Sequence, residues 1–348
     1  MLSIGGLLVR RGAELISEHL QTRQQPDLIH GWLGLVIVIL TGFVFAFMMF
    51  WVDYTCTHVI ATLAAVEVSD SHSYIRLDSN DSPSNNLEED TKPITSGLGS
   101  AIKHLRARGG GSIWSTFRAF RMYLAYSGSS FGVGMLVAGL TSATIPASAV
   151  LTPTITHFVT GMLLATWHMA WVHLVIADKS PRTPYRRKLG LKHWPRIAPA
   201  AALYNALRYV SLSVPTYAAR LAALTFLDTG RYTTGISTFI LLGVLPALLL
   251  LFVTLPARAV FTRVAASMLP EEDEPIIPFD RAFGGKVRAT GELGLMDAWT
   301  SFTWTARKRY FMVALKALGI EVALGAVGLL LVLGELAIVT RTGAPQQS

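Results

Sequence analysis

One uninterrupted stretch limits what this chain can fold into. Residues 122–177 form a run of 56 amino acids without a single Asp, Glu, Lys or Arg. A membrane-spanning helix needs about 20 apolar residues, so the run is long enough for two spans and a turn. Only 15% of the chain is charged and its mean hydropathy is +0.44, whereas soluble domains carry about 25% charged residues. The sequence therefore predicts an all-α fold, a polytopic membrane helical bundle.

Six hydrophobic segments predict about six transmembrane helices. They cover residues 31–52, 122–143, 155–177, 200–224, 233–257 and 311–339. The segment 200–224 is the weakest of them, because Arg208 and Arg220 interrupt it.

These segments divide the chain into five parts. The parts are an amphipathic N-terminal tail (1–30), helices 1–5 (31–257), a cytoplasmic loop with an acidic, proline-containing stretch and an interfacial helix (258–309), helix 6 (310–340) and a C-terminal tail (341–348). The first loop contains many Ser, Asn, Asp and Glu residues and too little apolar surface to fold, so we expect residues 67–110 to be disordered.

The distribution of basic residues predicts an orientation. Loops 53–121, 178–197 and 258–309 contain 22 of the 30 Lys and Arg residues, against 5 on the opposite side. Basic loops stay in the cytoplasm, so we expect these three loops to be cytoplasmic and both termini to be luminal or extracellular. The protein is then an integral component of an endomembrane or the plasma membrane. If residues 200–224 do not span, the asymmetry falls to 18 against 11.

Charges inside the hydrophobic segments are the strongest candidates for functional residues. A charge in hydrocarbon costs about 2.5–3.5 kcal/mol on insertion scales, so it pairs or snorkels to the interface. Arg208 and Arg220 are separated by nearly the same distance along their helix as Glu321 and Glu335 are along theirs. We therefore predict two intramembrane ion pairs, Arg208 with Glu321 and Arg220 with Glu335. Snorkelling of each charge is the alternative.

A basic and aromatic stretch precedes the second hydrophobic segment. Its residues are Lys103, Arg106, Arg108, Trp114, Phe117, Arg118, Phe120 and Arg121. Such a stretch beside a membrane is typical of binding to anionic lipids at the cytoplasmic face. We expect the bilayer to be the main partner, with protein partners at the cytoplasmic loops and no nucleic acid.

The sequence contains no recognisable catalytic, cofactor or metal signature. Cys56 is the only cysteine, and neither a P-loop nor a Gly-x-Ser-x-Gly elbow is present. His157 and His168 lie on one face of a helix, but about 16 Å apart along its axis, too far to share a metal ion. We therefore predict no catalytic residue, cofactor or metal site.

Residues 268–286 read MLPEEDEPIIPFDRAFGGK, and this stretch, with Trp299, Phe302 and Trp304 after it, resembles an uncharacterised family of multi-span membrane proteins from filamentous fungi. Some family members are labelled ubiquitin carrier or ubiquitin-conjugating proteins. That activity needs a soluble α/β domain with a nucleophilic cysteine after a His-Pro-Asn motif, and this chain has no such motif. The resemblance implies a membrane fold and no activity.

Three functions remain open from the sequence. The absence of site chemistry favours a non-catalytic structural or scaffolding membrane component. Mid-span prolines and intramembrane Arg, Glu and His residues favour the alternative, a small-solute or ion transporter or channel. A membrane-embedded lipid enzyme is the third possibility. A polar cavity lined by intramembrane charges would favour transport over scaffolding.

The orientation can be tested at Asn80, which begins the sequon Asn80-Asp81-Ser82. If residues 53–121 are cytoplasmic, Asn80 never meets the luminal glycosylation machinery and stays unmodified. The measurement is the electrophoretic mobility of the full chain, expressed in eukaryotic cells, before and after endoglycosidase treatment. A mobility shift that Asn80→Gln abolishes would reverse the predicted orientation.

Overall fold

The computed structural model describes residues 32–68, 93–144, 151–179, 191–229 and 240–342. The predicted N-terminal tail lies outside these ranges, as do residues 69–92 of the predicted disordered loop. The described chain is almost entirely helical, which confirms the all-α prediction.

Nine helices can be followed within these described ranges. We number them α1 Trp32–Val66, α2 Leu98–Arg108, α3 Phe120–Thr144, α4 Leu151–Leu163, α5 Ala165–Ile176, α6 Trp194–Thr229, α7 Ile240–Ser267, α8 Leu295–Thr300 and α9 Trp304–Thr342. Short 3₁₀ turns occur at Ile94–Ser96, Ile113–Thr116 and Leu191–His193. Two short strands, β1 Ala177–Lys179 and β2 Glu274–Pro275, pair antiparallel.

Among the described residues, four helices, α1, α3, α7 and α9, are long and apolar enough to cross a membrane. Helices α4 and α5 make a fifth span if they are counted as one broken helix, bent by 58°. The protein is therefore an integral membrane protein. The predicted fourth span, 200–224, lies within α6, but α6 is not among these helices. Its crossing of the membrane, and with it the count of six, stays a prediction.

Several helices are longer than the sequence predicted. Helix α1 continues to Val66 instead of ending near residue 52, and α7 continues to Ser267 instead of ending near 257. The 35 residues of α1 are about 52 Å long, well beyond the ~30 Å of hydrocarbon. The extra turns are stabilised by protein contacts, because Leu63 and Phe261 are each 1% exposed. The first residues of the predicted loops 53–121 and 258–309 are therefore helical.

The chain divides into two compact units. In the first, residues 32–53 of α1 pack antiparallel against residues 318–342 of α9. The Thr41 hydroxyl donates to Glu335 Oε1 at 2.8 Å, and Gly328 lets the ring of Phe45 lie against the α9 backbone. The outward side chains of this hairpin, such as Phe43 and Leu330, are large, apolar and exposed, which is the surface that lipid covers.

The second unit, residues 54–317, contains a densely packed region that we call the cap. The cap consists of residues 54–68, 93–119, 165–179 and 255–317. Its interior includes the fully buried side chains of Tyr54, Ile176, Phe302 and Tyr310. The His173 ring hydrogen-bonds the Ala265 carbonyl at 2.7 Å, so α5 and α7 are joined by a polar contact as well as by apolar packing.

Segments from three predicted loops meet in the cap. Strands β1 and β2 join the loop after α5 to the loop after α7. His104 on α2 hydrogen-bonds the Ile276 carbonyl at 3.0 Å, and Arg108 pairs with Asp178 at 3.3 Å. Residues from loops 53–121, 178–197 and 258–309 therefore lie on one face of this unit.

The described part of the predicted disordered loop is ordered, which corrects that prediction for residues 93–110. Glu67 is 2% exposed and accepts hydrogen bonds from the backbone N–H of Ile94 at 2.6 Å and of Thr95 at 3.0 Å, and from the Thr95 hydroxyl. Arg309 lies 3.8 Å from the same carboxylate. This long-range contact tethers α2, whose Leu105 is buried in the cap, and composition alone does not reveal it.

Glu67→Gln tests this tether. Breaking a buried, charged hydrogen-bond group costs about 3–5 kcal/mol, so we expect a melting temperature several degrees lower and faster trypsin cleavage at Lys103 and Arg106 on α2. The measurement is a melting curve and a trypsin time course on the full chain in detergent. Glu271→Gln, at an exposed acidic position, is the control. Equal cleavage rates for both variants would show that Glu67 does not hold α2.

Candidate functional site

A cavity of about 640 Å³ lies within the second unit, between α3, α4, α5, α6 and α7. Its volume is within the ~300–1,000 Å³ of small-molecule sites. Most of its titratable and phenolic lining residues come from different helices. They are Arg208, Arg258, His58, His157, His168, Tyr123, Tyr126, Tyr204 and Tyr209.

The bend between α4 and α5 forms one wall of the cavity. The sequence predicted a single span over 155–177, but the helix breaks at Leu164. Near the break, the Met162 carbonyl accepts from the Trp194 indole N–H at 2.8 Å. In hydrocarbon a freed backbone carbonyl must find a partner inside the protein, and Trp194 supplies it. Gly161 and His168, on either side of the break, both line the cavity.

Helix α6 approaches α4 very closely at Gly161. A Cβ atom at this position would lie 2.4 Å from the Asn205 side chain. The absent side chain therefore sets the distance between the two helices and gives Asn205 its place in the cavity wall. The sequence carries no direct signal for this contact, because Gly161 and Asn205 are far apart in the chain.

Helices α1 and α7 reach the cavity after irregular turns. Helix α1 is π-helical over Asp53–Ile60, which includes His58, and α7 is π-helical over Leu250–Thr254, one turn before Arg258. Such turns often occur at functional sites, because they change which side chains face a neighbouring helix. The α7 segment is stabilised by Thr254, whose hydroxyl donates to Ser211 on α6 at 2.9 Å.

Aromatic rings surround His168 at the centre of the lining. Its ring stacks on Phe261 at 4.3 Å and lies 5.2 Å from Tyr126 and 5.6 Å from Tyr204. Both Arg258 and Arg208 are close enough to act on it electrostatically. The two guanidinium groups therefore share one neighbourhood, although they belong to α7 and α6.

The cavity carries positive charge without an opposing carboxylate. No Asp or Glu is among its described lining residues. Arg258 is 8% exposed, yet within the described ranges its guanidinium makes no hydrogen bond or ion pair; its electrostatic neighbours are His168 and Tyr310. The electrostatic neighbours of Arg208 include the phenols of Tyr204, Tyr126 and Tyr123.

Two more buried polar groups face the cavity without a hydrogen-bond partner in the described structure. The first is the indole N–H of Trp171, which is 2% exposed, and the second is the hydroxyl of Thr160, which is 6% exposed. The Tyr54 hydroxyl lies near Trp171 but outside hydrogen-bond geometry with it, and donates its own proton to the Arg118 carbonyl at 2.6 Å. An unsatisfied buried polar group costs about 1–3 kcal/mol, so each of these two groups can serve as a hydrogen-bond donor to a ligand in the cavity.

The four residues of the predicted ion pairs occupy different places. Arg208 lines the cavity, and Arg220 is exposed on α6. Glu321 and Glu335 belong to the first unit, where Glu335 accepts from Thr41. Each proposed pair combines one residue of each unit, so the pairing of Arg208 with Glu321 and of Arg220 with Glu335 stays a prediction.

The predicted lipid-binding residues fall into two groups. Five are exposed: Lys103, Arg106, Arg108, Trp114 and Arg121.

The other three, Phe117, Arg118 and Phe120, contact the protein. The Phe117 and Phe120 rings pack on Tyr54 at 5.6 and 5.3 Å. Arg118 donates to the carbonyls of Val175, at 2.9 Å, and Ala177. Burial lowers the pKa of the Arg118 guanidinium, and the Asp178 carboxylate opposes that shift. These three side chains are half-buried in protein contacts, so only part of each is left to face lipid.

Sequence reasoning identified Arg208 and the histidines of the third segment but missed Arg258 and Trp171 as site residues. The sequence predicts Arg258 as the end of a span, because it is the first charge after a long apolar run. The signal for a buried position is that more apolar residues, Ala259, Val260 and Phe261, follow it directly.

Comparisons with known proteins do not assign this site. No protein-family model matches the chain, and no curated protein matches it. Within the described residues, no group of three or more His, Cys, Asp or Glu is arranged to hold a metal ion. The resemblance to fungal membrane proteins stays an expectation, and the function has to be argued from the cavity.

The contact between α4 and α6 can be tested by Gly161→Ala. The added methyl group collides with Asn205, so we expect a loss of about 1–3 kcal/mol, the usual cost of overpacking. Asn205→Ala in the same chain should restore most of that loss, because it removes the colliding atoms, and melting curves of the full cycle measure the coupling. Gly134→Ala, where the nearest atom is 3.8 Å away, is the control. Additive effects would contradict the contact.

Proposed function

We propose that this chain is a membrane carrier for an anionic solute, which it binds in the cavity of the second unit. The observation that supports the proposal is Arg258, a buried guanidinium that faces the cavity without a carboxylate partner among the described residues. A ligand with a phosphate or carboxylate group would complete its hydrogen bonds.

Electrostatics favours an anion over any other ligand. Removing one ionised group from water costs several kcal/mol unless a counter-charge and hydrogen bonds compensate. Arginine presents a planar fork of donors that matches carboxylate and phosphate oxygens. Arg208 adds a second positive charge, and the N–H of Trp171, whose ring lies 5.8 Å from His168, adds a donor at the same end of the cavity.

The cavity favours transport over the scaffolding role expected from the sequence. A scaffold needs outward surfaces for its partners and gains nothing from an internal chamber lined by unpaired polar groups, which lower its stability. A transporter needs such a chamber in contact with membrane-spanning helices, and α3, α7 and the bent pair α4–α5 all line this one. If the cavity binds no ligand, the structural or scaffolding role predicted from the sequence is favoured instead.

We further propose that the cap faces the cytoplasm, with both termini on the luminal or extracellular side of an endomembrane or the plasma membrane. The excess of basic residues in loops 53–121, 178–197 and 258–309 supports this orientation. The contacts among those loops, such as Arg108 with Asp178 and β1 with β2, support a common side for all three.

Replacing Arg258 with methionine separates ligand binding from a structural role. Because the guanidinium lacks a partner, we expect ligand-free Arg258→Met to melt at the wild-type temperature or a few degrees above it. Phenyl phosphate, a water-soluble anion, should raise the melting temperature of the wild type saturably. It should bind at least tenfold more weakly to the variant, which corresponds to the loss of about one charge-assisted hydrogen bond.

The measurements are melting curves of the full chain in neutral detergent and uptake of labelled phenyl phosphate by proteoliposomes. Arg106→Gln, at an exposed position on α2, is the matched control, and neutral benzyl alcohol is the control ligand. Equal phenyl phosphate binding by the wild type and Arg258→Met, or equal uptake by their proteoliposomes, would refute the anion site.

A further inference from the structure

We infer that the ligand of this cavity is an amphiphile, an acidic phosphate or carboxylate headgroup on a hydrocarbon chain, and that it enters sideways from the bilayer. The inference rests on the proposed function and names the class of anion. It is supported by the change in polarity along the α3 wall of the cavity and by the position of the cavity opening.

Helix α3 shows the change in polarity most clearly. The residues it contributes to the cavity recur at helical spacing, so they form one stripe facing the chamber. The first half of the stripe is polar, with Tyr123, Tyr126, Ser127 and Ser130. The second half has no hydrogen-bonding side chain and consists of Phe131, Gly134, Met135 and Ala138. The stripe extends about 22 Å along the helix axis, so its two ends contact different parts of one ligand.

The positive charges belong to the polar end. Tyr123 and Tyr126 are neighbours of Arg208, and Tyr126 lies 5.2 Å from His168, which both arginines influence. A headgroup at this end would meet Arg258 and Arg208, and the part of the ligand that extends along α3 would meet apolar side chains.

The end of the cavity beside the apolar half of α3, where α4 adds Thr156 and His157 to the lining, opens to the outside of the helices. Phe131 and Met135 line the cavity and are nevertheless 74% and 63% exposed. Leu212 on α6, also a lining residue, is 55% exposed. Because α3 is apolar enough to cross a membrane, this opening faces hydrocarbon. A hydrocarbon chain can pass through such an opening, whereas a fully hydrated solute would lose its water there.

An alternative ligand is a water-soluble anion that uses only the polar end. It would need Arg258 but would be insensitive to the residues at the opening. The two ligand classes therefore predict different effects of substitutions on binding at two neighbouring positions of α3, Met135 and Leu136. Both are exposed on the same apolar helix, at 63% and 71%, but only Met135 lines the cavity.

The experiment compares Met135→Gln with Leu136→Gln in the full chain, reconstituted in phosphatidylcholine nanodiscs. Dodecyl phosphate and phenyl phosphate are titrated, and the dissociation constant of each is measured. We expect Met135→Gln to bind dodecyl phosphate five- to tenfold more weakly than Leu136→Gln does, with no difference between them for phenyl phosphate. Both variants share the same partitioning of the probe into the bilayer, so that effect cancels.

A labelling measurement on the wild type removes any dependence on how the variants fold. A phosphatidic acid with a photoreactive group near the end of its chain is added to the nanodiscs, and labelled peptides are identified after irradiation. Dodecyl phosphate is expected to reduce labelling of residues 131–138 at least fivefold and to leave labelling of α9 unchanged. Inorganic phosphate at the same concentration should not compete.

The outcomes separate this inference from the proposed function. One outcome is that binding of phenyl phosphate requires Arg258 while Met135→Gln and Leu136→Gln bind dodecyl phosphate equally well. In that case the cavity is an anion site, and the inference that its ligand is an amphiphile is wrong. The amphiphile inference is also wrong if dodecyl phosphate does not reduce the labelling of residues 131–138. If neither phosphate distinguishes the wild type from Arg258→Met, the proposed function fails as well.

Discussion

Hydrocarbon cannot hydrogen-bond a peptide group, and the architecture of this protein follows from that constraint. Regular helices satisfy their own backbone, so most of the described chain is helical. Each irregularity then needs a partner from elsewhere in the protein. At the bend between α4 and α5, Trp194 binds the Met162 carbonyl, and beside the π-helical part of α7, Ser211 and Thr254 bind each other. These irregularities lie around one chamber, where departures from regular helix leave space that close helix packing would otherwise fill.

Helix α7 contains two buried arginines, Arg258 and Arg263, whose hydrogen-bonding environments differ. Arg263 donates to the carbonyls of Ala65 and Ala298 at 2.9 and 3.0 Å and to the Ser301 hydroxyl at 2.9 Å, and its guanidinium lies between aromatic rings. Arg258, five residues earlier on the same helix, has no such contacts in the described structure. The fold can therefore satisfy a buried guanidinium fully when its role is structural. The different environment of Arg258 is the reason to assign it to a ligand.

Local sequence information predicted part of this structure. The uncharged run 122–177 predicted membrane helices, and α3 matches the segment 122–143 within two residues. Arg208 was identified because a charge within an apolar segment is visible in the sequence. The bend at Leu164 was not visible, because apolar residues continue on both sides of it. The order of residues 93–110 was not predictable either, since it depends on Glu67, a carboxylate 26 or more residues away in the chain.

The buried Arg258 and the opening of the cavity at Phe131 and Met135 lie at opposite ends of the chamber. The cap contacts the end of α7, for example through His173 and the Ala265 carbonyl. Arg258 is 8% exposed, so its guanidinium has little contact with water. At the other end of the α3 stripe, Phe131 and Met135 line the chamber and are exposed. On the proposed function, the buried arginine would bind the headgroup and the opening at Phe131 and Met135 would admit the hydrocarbon chain, so that the route of entry, as well as the charge, would favour amphiphiles.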